Sequence, residues 1–271
     1  MQDLMSMRRG QGFPLVLVHG YLAGGAIWSD QFDHFEHTFD VIAPDLPGFA
    51  GSKDIPAPES IPGFAEAVLD HLDGLGVRRF HLIGHSMGGM VVQHMAKIAG
   101  QRIEKLVLYG TGPVGVLPGR FETIDRSRQR LREEGLQETG ERIAATWFVN
   151  GREAPGFEIC RNLAARGTLS AALACLTAWE DWDGTSALKE IDNSTLVLWG
   201  DCDRSYGWSQ PEALWRGIRN ASLAVVPGCG HAVHLEKRSL FNQIVEEFLT
   251  ETEPKRATVG NAGEPLVAVP G

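Results

Sequence analysis

No stretch of this sequence approaches the roughly 18 consecutive apolar residues of a membrane-crossing helix. The opening, Met1 to Gly12, carries Arg8 and Arg9 but no separate apolar region and no small-residue cleavage site, so it does not read as a secretory leader. Basic charge is scarce. Lys and Arg number 25 against 34 Asp and Glu, a formal net charge of −9. Such a field repels phosphate backbones and anionic lipid, and the basic residues Arg126, Arg128, Arg130 and Arg132 make only a short patch. Neither nucleic acid nor membrane is an expected partner. Cysteine is rare too: Cys160, Cys175, Cys202 and Cys229 lie far apart with no C-x-x-C pair. They read as thiols, not as a disulfide framework or a zinc site. No internal repeat is evident. The expectation is a soluble cytoplasmic protein.

What is present is enough apolar material for a core. Of 271 residues 43% are apolar, which suits one large domain or one domain carrying an insertion. Leu15, Val16, Leu17 and Val18 form an unbroken run within Pro14 to His19, as expected of a strand covered on both faces. Similar runs follow at Phe39 to Ala43, Phe80 to Gly84, Lys105 to Tyr109 and Thr195 to Trp199, with a weaker one at Ser222 to Val226. Helical patterns separate them: Phe64, Val68, Leu69 and Leu72, then Met90 to Ile98, and finally Leu240 to Leu249. Strands alternating with helices predict an α/β fold with a mostly parallel sheet.

The alternation fails once. Between about Pro113 and Leu188 there is no good strand, only helical segments near 119–134, 136–149, 155–166 and 168–178. An insertion after a central strand would sit over the carboxyl ends of the strands, where open α/β folds keep their sites. The expected division is a core of 13–112 and 189–250, a helical cap of 113–188 and a disordered tail of 251–271, which is rich in Gly and Pro and has no periodicity.

The strongest signal is Gly84-His85-Ser86-Met87-Gly88-Gly89, a G-x-S-x-G motif with a strand before it and a helix after it. Its serine would occupy a strained turn near a helix N-terminus, where free N–H groups can meet developing negative charge. A serine hydroxyl needs a base. Of nine histidines, His231 in Pro227-Gly228-Cys229-Gly230-His231 is best placed, with His234 its rival. His85 is expected to point away, and His34, His37, His71 and His94 to pack or face solvent. An acid must orient the base. Gly200-Asp201-Cys202-Asp203 offers two; Asp203 is preferred and Asp201 reads as a turn former. For the oxyanion, the backbone N–H of Met87 follows the nucleophile, and Tyr21 is the choice from the loop His19-Gly20-Tyr21-Leu22-Ala23-Gly24-Gly25. His19 and Asp45 are expected to brace backbone.

Taken in order, the strand ending at His19-Gly20, the Asp45-Leu46-Pro47-Gly48 loop, the Gly84–Gly89 elbow, Trp199-Gly200 with Asp203, and Gly230-His231 resemble the α/β-hydrolase superfamily over residues 13–249. The resemblance implies that fold, with the triad Ser86, Asp203 and His231 and the oxyanion hole Tyr21 and Met87. Trp199 to Glu236 is most similar to meta-cleavage product hydrolases, which split carbon–carbon bonds in vinylogous diketo acids. The oxyanion loop and Ile27-Trp28 instead resemble esterases and enol-lactonases. Ala50 stands where a glycine is usual, and Ser205-Tyr206-Gly207-Trp208 replaces a common proline. With so few residues ahead of Leu15, the opening hairpin is expected to be reduced or absent, and a start upstream of Met1 stays open.

The expected activity is hydrolysis of a carboxylic ester or lactone of a small, largely apolar substrate through an acyl-enzyme. Carbon–carbon hydrolysis is the alternative, and a buried basic residue facing the pocket would discriminate between them. A ligand-sensing role is disfavoured by the complete triad, and cofactor-free oxygenation stays open. No metal or organic cofactor is needed. Trp147, Phe148, Trp179 and Trp182 are candidate pocket residues that could equally be cap core. Arg161 or Arg166 could pair with a substrate carboxylate or simply be solvated. Beyond a small-molecule substrate, the one partner entertained is a second copy of the chain.

Overall fold

The apolar runs become strands because each can bury both of its faces. The computed structural model describes residues 3–116 and 122–251. Seven strands, β1 (Ser6–Arg9), β2 (Phe13–Val18), β3 (Phe39–Pro44), β4 (Phe80–His85), β5 (Ile103–Tyr109), β6 (Ser194–Gly200) and β7 (Ala221–Val226), form one sheet in the order β1-β3-β2-β4-β5-β6-β7. Every neighbouring pair is parallel except β1 with β3. β3 and β4 are buried along their whole length, which explains their unbroken apolar character. The reduced hairpin expected at the start is a single antiparallel edge strand, β1, tied by a two-pronged bond of Arg8 to Asp40 at 2.9 and 2.6 Å.

Helices α1 (Ser29–Phe35), α2 (Ile61–Gly74) and α3 (Met87–Ala99) alternate with the first strands. α2 shows how local sequence sets an element. Ser60 caps it by accepting from the Gly63 N–H at 3.2 Å, Pro62 occupies its first turn, and Ile61, Phe64, Ala65, Val68, Leu69 and Leu72 form the buried stripe. Between β5 and β6 run α4 (Ile124–Thr146), α5 (Phe157–Ala164) and α6 (Leu169–Glu180). α4 is broken at Gly135, whose φ of +82° lies outside the helical region, so it corresponds to the two helices read around that position. α7 (Ser209–Gly217), α8 (Val233–Glu236) and α9 (Arg238–Thr250) complete the chain. Among the described residues, no helix is long and apolar enough to cross a membrane. The start of the first insert helix, 119–121, and the tail from 252 onward lie outside the described residues.

The helical insert is joined to the sheet by two adjacent segments. Val114 and Asp183 form an antiparallel bridge, Gly184 N–H donates to the Pro113 carbonyl at 2.8 Å, and Gly115 N–H donates to the Trp182 carbonyl at 3.0 Å. The insert also touches the loop after β3. Thr168 N–H donates to the Gly48 carbonyl at 3.0 Å, and a Cβ on Gly48 (φ +86°) would lie 2.2 Å from that of Ala171. The insert therefore lies over the strand ends that carry the polar residues described next.

Candidate active site

Ser86 sits between the last residue of β4 and the first residue of α3, with φ +57° and ψ −121°. A side-chain-bearing residue rarely adopts such a backbone, and it persists only where its surroundings hold it. They do so here. Ser86 N–H donates to the Tyr109 carbonyl at 3.0 Å, and the Ser86 carbonyl accepts from Thr111 Oγ1 at 2.7 Å and Gly89 N–H at 2.8 Å. Tight packing requires the flanking glycine: a Cβ on Gly84 would lie 2.4 Å from the Gly88 oxygen and from Val92 Cγ2. The serine is recessed, 8% exposed. Met87 opens α3, so its N–H is one of those a helix leaves without an intrahelical acceptor.

At the neighbouring strand ends, Asp203 and His231 form a buried pair, with His231 Nδ1 2.8 Å from Asp203 Oδ2. A carboxylate only accepts, so Nδ1 carries a proton and Nε2 is the nitrogen turned away from Asp203. The other carboxylate oxygen, Oδ1, accepts from the N–H groups of Ser205 and Tyr206 at 2.7 and 3.1 Å. Asp201 is the turn former expected, accepting from Gly228 N–H at 2.6 Å. The His231 turn is anchored from the sheet by Tyr109, whose hydroxyl donates to the His231 carbonyl at 2.8 Å. Since Tyr109 also holds Ser86 through its own carbonyl, serine and histidine share one support. None of the described hydrogen bonds joins Ser86 Oγ to His231.

The other histidines divide by environment. His85 departs from expectation. Its ring does not point away but lies under the His231 turn, with Nε2 3.2 Å from the His231 carbonyl and the ring stacked on Tyr109 at 4.5 Å. The reason is that β4 is central and fully buried, so a side chain at its end packs against Tyr109 of the adjacent strand and the turn that follows β7. Burial, then the nearby His231 and His234, hold the His85 pKa well below its ordinary value. His234 is also fully buried, bonded through Nδ1 to the Tyr109 hydroxyl at 3.0 Å, and burial depresses its pKa to about 3. Unlike His231, it has no carboxylate partner among the described residues. His19 and Asp45 brace backbone as expected. His19 Nε2 accepts from Leu46 N–H at 2.9 Å, which leaves Nδ1 to donate to the Gly20 carbonyl at 2.7 Å. Asp45 accepts from the N–H groups of Gly25 and Gly51 at 2.7 and 2.9 Å. The braced loops contain Leu22 at φ +55° and Ala50 at φ +44°, the latter explaining why a glycine would be usual there.

Of the four aromatics considered for the pocket, two border these residues. The Trp147 ring lies 6.0 Å from that of His231, and the Trp179 ring 4.8 Å from that of Tyr21, whose hydroxyl donates to the Ala172 carbonyl at 3.3 Å. The other two lie elsewhere. Phe148 is wholly buried and packs against Gly156. Trp182 belongs to the connection between insert and sheet and packs edge-on against His94, about 10 Å along α3 from Met87. Arg161 pairs with Glu158 at 2.6 Å and Arg166 is exposed. Arg102, Arg130 and Arg142, although partly buried, are paired with Asp73 and Glu122 at 2.9 to 3.3 Å, and Arg128 with Glu180. Among the described residues, no group of three or more His, Cys, Asp or Glu could hold a metal ion.

Two neighbours of the site escaped the sequence reading. Tyr206 stacks on His231, with ring centroids 5.6 Å apart and planes within 12°. Its signal was only its place three residues after Asp203. Glu236 ties the His231 turn to the insert, accepting from Gly230 N–H at 2.6 Å and from Val149 N–H at 2.7 Å.

A model of the alpha/beta hydrolase family matches residues 15–244. A curated 2-hydroxy-6-oxo-6-phenylhexa-2,4-dienoate hydrolase of Burkholderia cepacia is 31% identical, the match covering 89% of this chain and 88% of the relative. Among solved structures, a thermophilic esterase from Thermogutta terrifontis superposes with a TM-score of 0.82 at 27% identity, covering 91% of this chain and 92% of the other. An enol-lactonase from Burkholderia xenovorans LB400 gives 0.84 at 23% identity, covering 92% and 96%, a likeness of fold alone.

Proposed function

The chain belongs to the alpha/beta hydrolase family, and from that premise we propose that it is a serine hydrolase that cleaves a carboxylic ester or lactone of a small, largely apolar substrate through an acyl-enzyme. The observation that carries this reading is the buried His231–Asp203 pair beside a serine held at φ +57° on the elbow. In the mechanism, His231 Nε2 takes the proton of Ser86 Oγ as the oxygen attacks the acyl carbonyl. Asp203 fixes the imidazole tautomer and stabilises the imidazolium that forms. The N–H groups of Tyr21 and Met87 receive the oxyanion; such a donor is typically worth about 3 kcal/mol in the transition state. His231 then gives its proton to the leaving oxygen, which departs as an alcohol or, from a lactone, stays attached to the acyl group. Water activated by the same histidine releases the acid and restores Ser86. Trp147 and Trp179 supply apolar walls, which suits an acyl group without charge.

A second reading, carbon–carbon hydrolysis of a vinylogous diketo acid, draws on the curated relative and its dienoate substrate. It calls for a cation to meet the substrate carboxylate, and the partly buried arginines described above are already paired with carboxylates. The test is a parallel hydrolysis screen of short and medium p-nitrophenyl esters, simple lactones and one aryl vinylogous diketo acid. Ester or lactone turnover with the diketo acid untouched supports the first reading. Rapid loss of the diketo acid chromophore with slow esters replaces it with the second.

A further inference from the structure

We propose that Tyr206 is a positioning residue for His231, presenting its ring face to the imidazole so that the base keeps its plane and the imidazolium formed in catalysis is stabilised. The inference rests on the reading of His231 as the base. Three observations meet at this residue. Its ring is buried and lies parallel to His231, 5.6 Å between centroids and 12° between planes. Its backbone N–H donates to Asp203 Oδ1, on the same carboxylate that grips His231 Nδ1. Its carbonyl accepts from Trp199 Nε1 at 2.8 Å, anchoring it to the end of β6.

The arrangement divides the control of the imidazole. Asp203 fixes one edge of the ring through Nδ1, but a single hydrogen bond leaves rotation about its own axis open. A parallel, offset ring alongside it restricts that rotation. Gly110 also fits closely around the base: with φ +52°, a Cβ there would lie 3.2 Å from His231 Nδ1. The aromatic face additionally presents electron density to a ring that carries positive charge only while the proton from Ser86 resides on it, so the contact strengthens on the way to the transition state. Because the tyrosine's hold on Asp203 is through the backbone, replacing its side chain removes the ring contact and leaves the carboxylate's hydrogen bonds available.

The test compares Tyr206→Phe, Tyr206→Leu and Tyr206→Met with the parent and with His231→Ala, on one p-nitrophenyl ester, with thermal unfolding as the check on folding. Phenylalanine keeps the face. Leucine and methionine fill space without one. Tyr206→Phe is expected to keep kcat within about twofold of the parent, while the Leu and Met variants lose roughly tenfold in kcat with KM little changed. The His231 ring-proton NMR signals, shifted by the stacked ring, stay near their parental positions in the Phe variant and move in the other two. If the leucine variant is too unstable to measure, the unbranched methionine variant carries the comparison. Parental kcat in the Leu or Met variant overturns the proposal, as does a Phe variant as slow as these. If His231→Ala retains parental turnover, the base assignment falls and this proposal with it; an inactive His231→Ala beside fully active ring-less variants overturns this proposal alone.

Discussion

Glu236 offers a perturbation whose size follows from its contacts. Its carboxylate links two distant segments: Oε2 accepts from Gly230 N–H, directly before His231, and Oε1 from Val149 N–H in the insert. Cys229 Sγ adds a weaker contact at 3.4 Å. Immediately after the histidine, Ala232 N–H donates to the Trp147 carbonyl at 3.1 Å. His231 is thus fastened to residues 147–149 on both sides, and Glu236 supplies one of the two fastenings. Glu236→Ala removes two charge-assisted bonds worth about 1.5–3 kcal/mol each, and water entering the half-buried site recovers part, so a net loss of about 2–4 kcal/mol is expected. For a chain of this size that corresponds to a fall in Tm of roughly 5–15 °C. Glu236→Gln keeps one acceptor oxygen and falls in between. With the turn loosened, kcat should drop roughly 10- to 100-fold, since small misplacements of a base are costly. Calorimetric unfolding with ester kinetics at 25 °C reads both quantities. A Glu236→Ala protein within about 1 °C of the parent and with parental kcat would refute the idea that the insert holds His231 in place.

Acid should destabilise the fold through its buried neutral histidines. The folded-state pKa of His234 is depressed to about 3, so below pH 6.5 the unfolded chain binds a proton that the folded one does not. The stability this histidine contributes is full above pH 6.5 and declines by up to about 1.4 kcal/mol per pH unit down to about pH 3. Denaturant melts at pH 6 and 4.5 should show a smaller pH dependence in His234→Phe; an unchanged slope would count against the assignment. Thiol labelling of the folded protein should modify Cys202, the exposed cysteine, while buried Cys160, Cys175 and Cys229 react only after denaturation. Burial pushes those three thiols up, and labelling of Cys202 should accelerate with pH as its thiolate forms, the hydrogen bond to Asp201 moving that rise to higher pH. Rapid modification of more than one site in the native state would contradict the burial. Gly84→Ala should cost about 3 kcal/mol or more and most of the activity, because its Cβ would meet backbone at 2.4 Å; near-parental Tm and turnover would show that the elbow can relax.

What could be read from the sequence was local. The elbow announces itself because strand, glycine, serine and helix are consecutive, and the steric need for Gly84 arises within eight residues, from Gly88 and Val92. The core strands were legible because burial on both faces leaves an unbroken apolar signature, as in β3 and β4. Asp203 and Asp201, two residues apart, have different partners, His231 for the one and Gly228 for the other. Contacts across the chain were not legible. Nothing near Glu236 in sequence indicates that it meets Val149, 87 residues away. Nor does an aromatic just past the end of an insert helix disclose which side it will occupy: Trp147 lies near His231, while its neighbour Phe148 is buried against Gly156. The direction of His85 was misjudged because it depends on Tyr109 at the end of β5 and on the turn after β7, not on the elbow itself.

The most direct measurement of the central claim is rapid-quench mass spectrometry with a slowly hydrolysed p-nitrophenyl ester. The parent protein should gain the mass of the acyl group on the peptide containing Ser86, with a matching burst of p-nitrophenol. Ser86→Ala should fold normally, gain no mass and retain less than about 1% of the turnover. Parental turnover in Ser86→Ala, or an acyl adduct on another residue with Ser86 unmodified, would contradict the account.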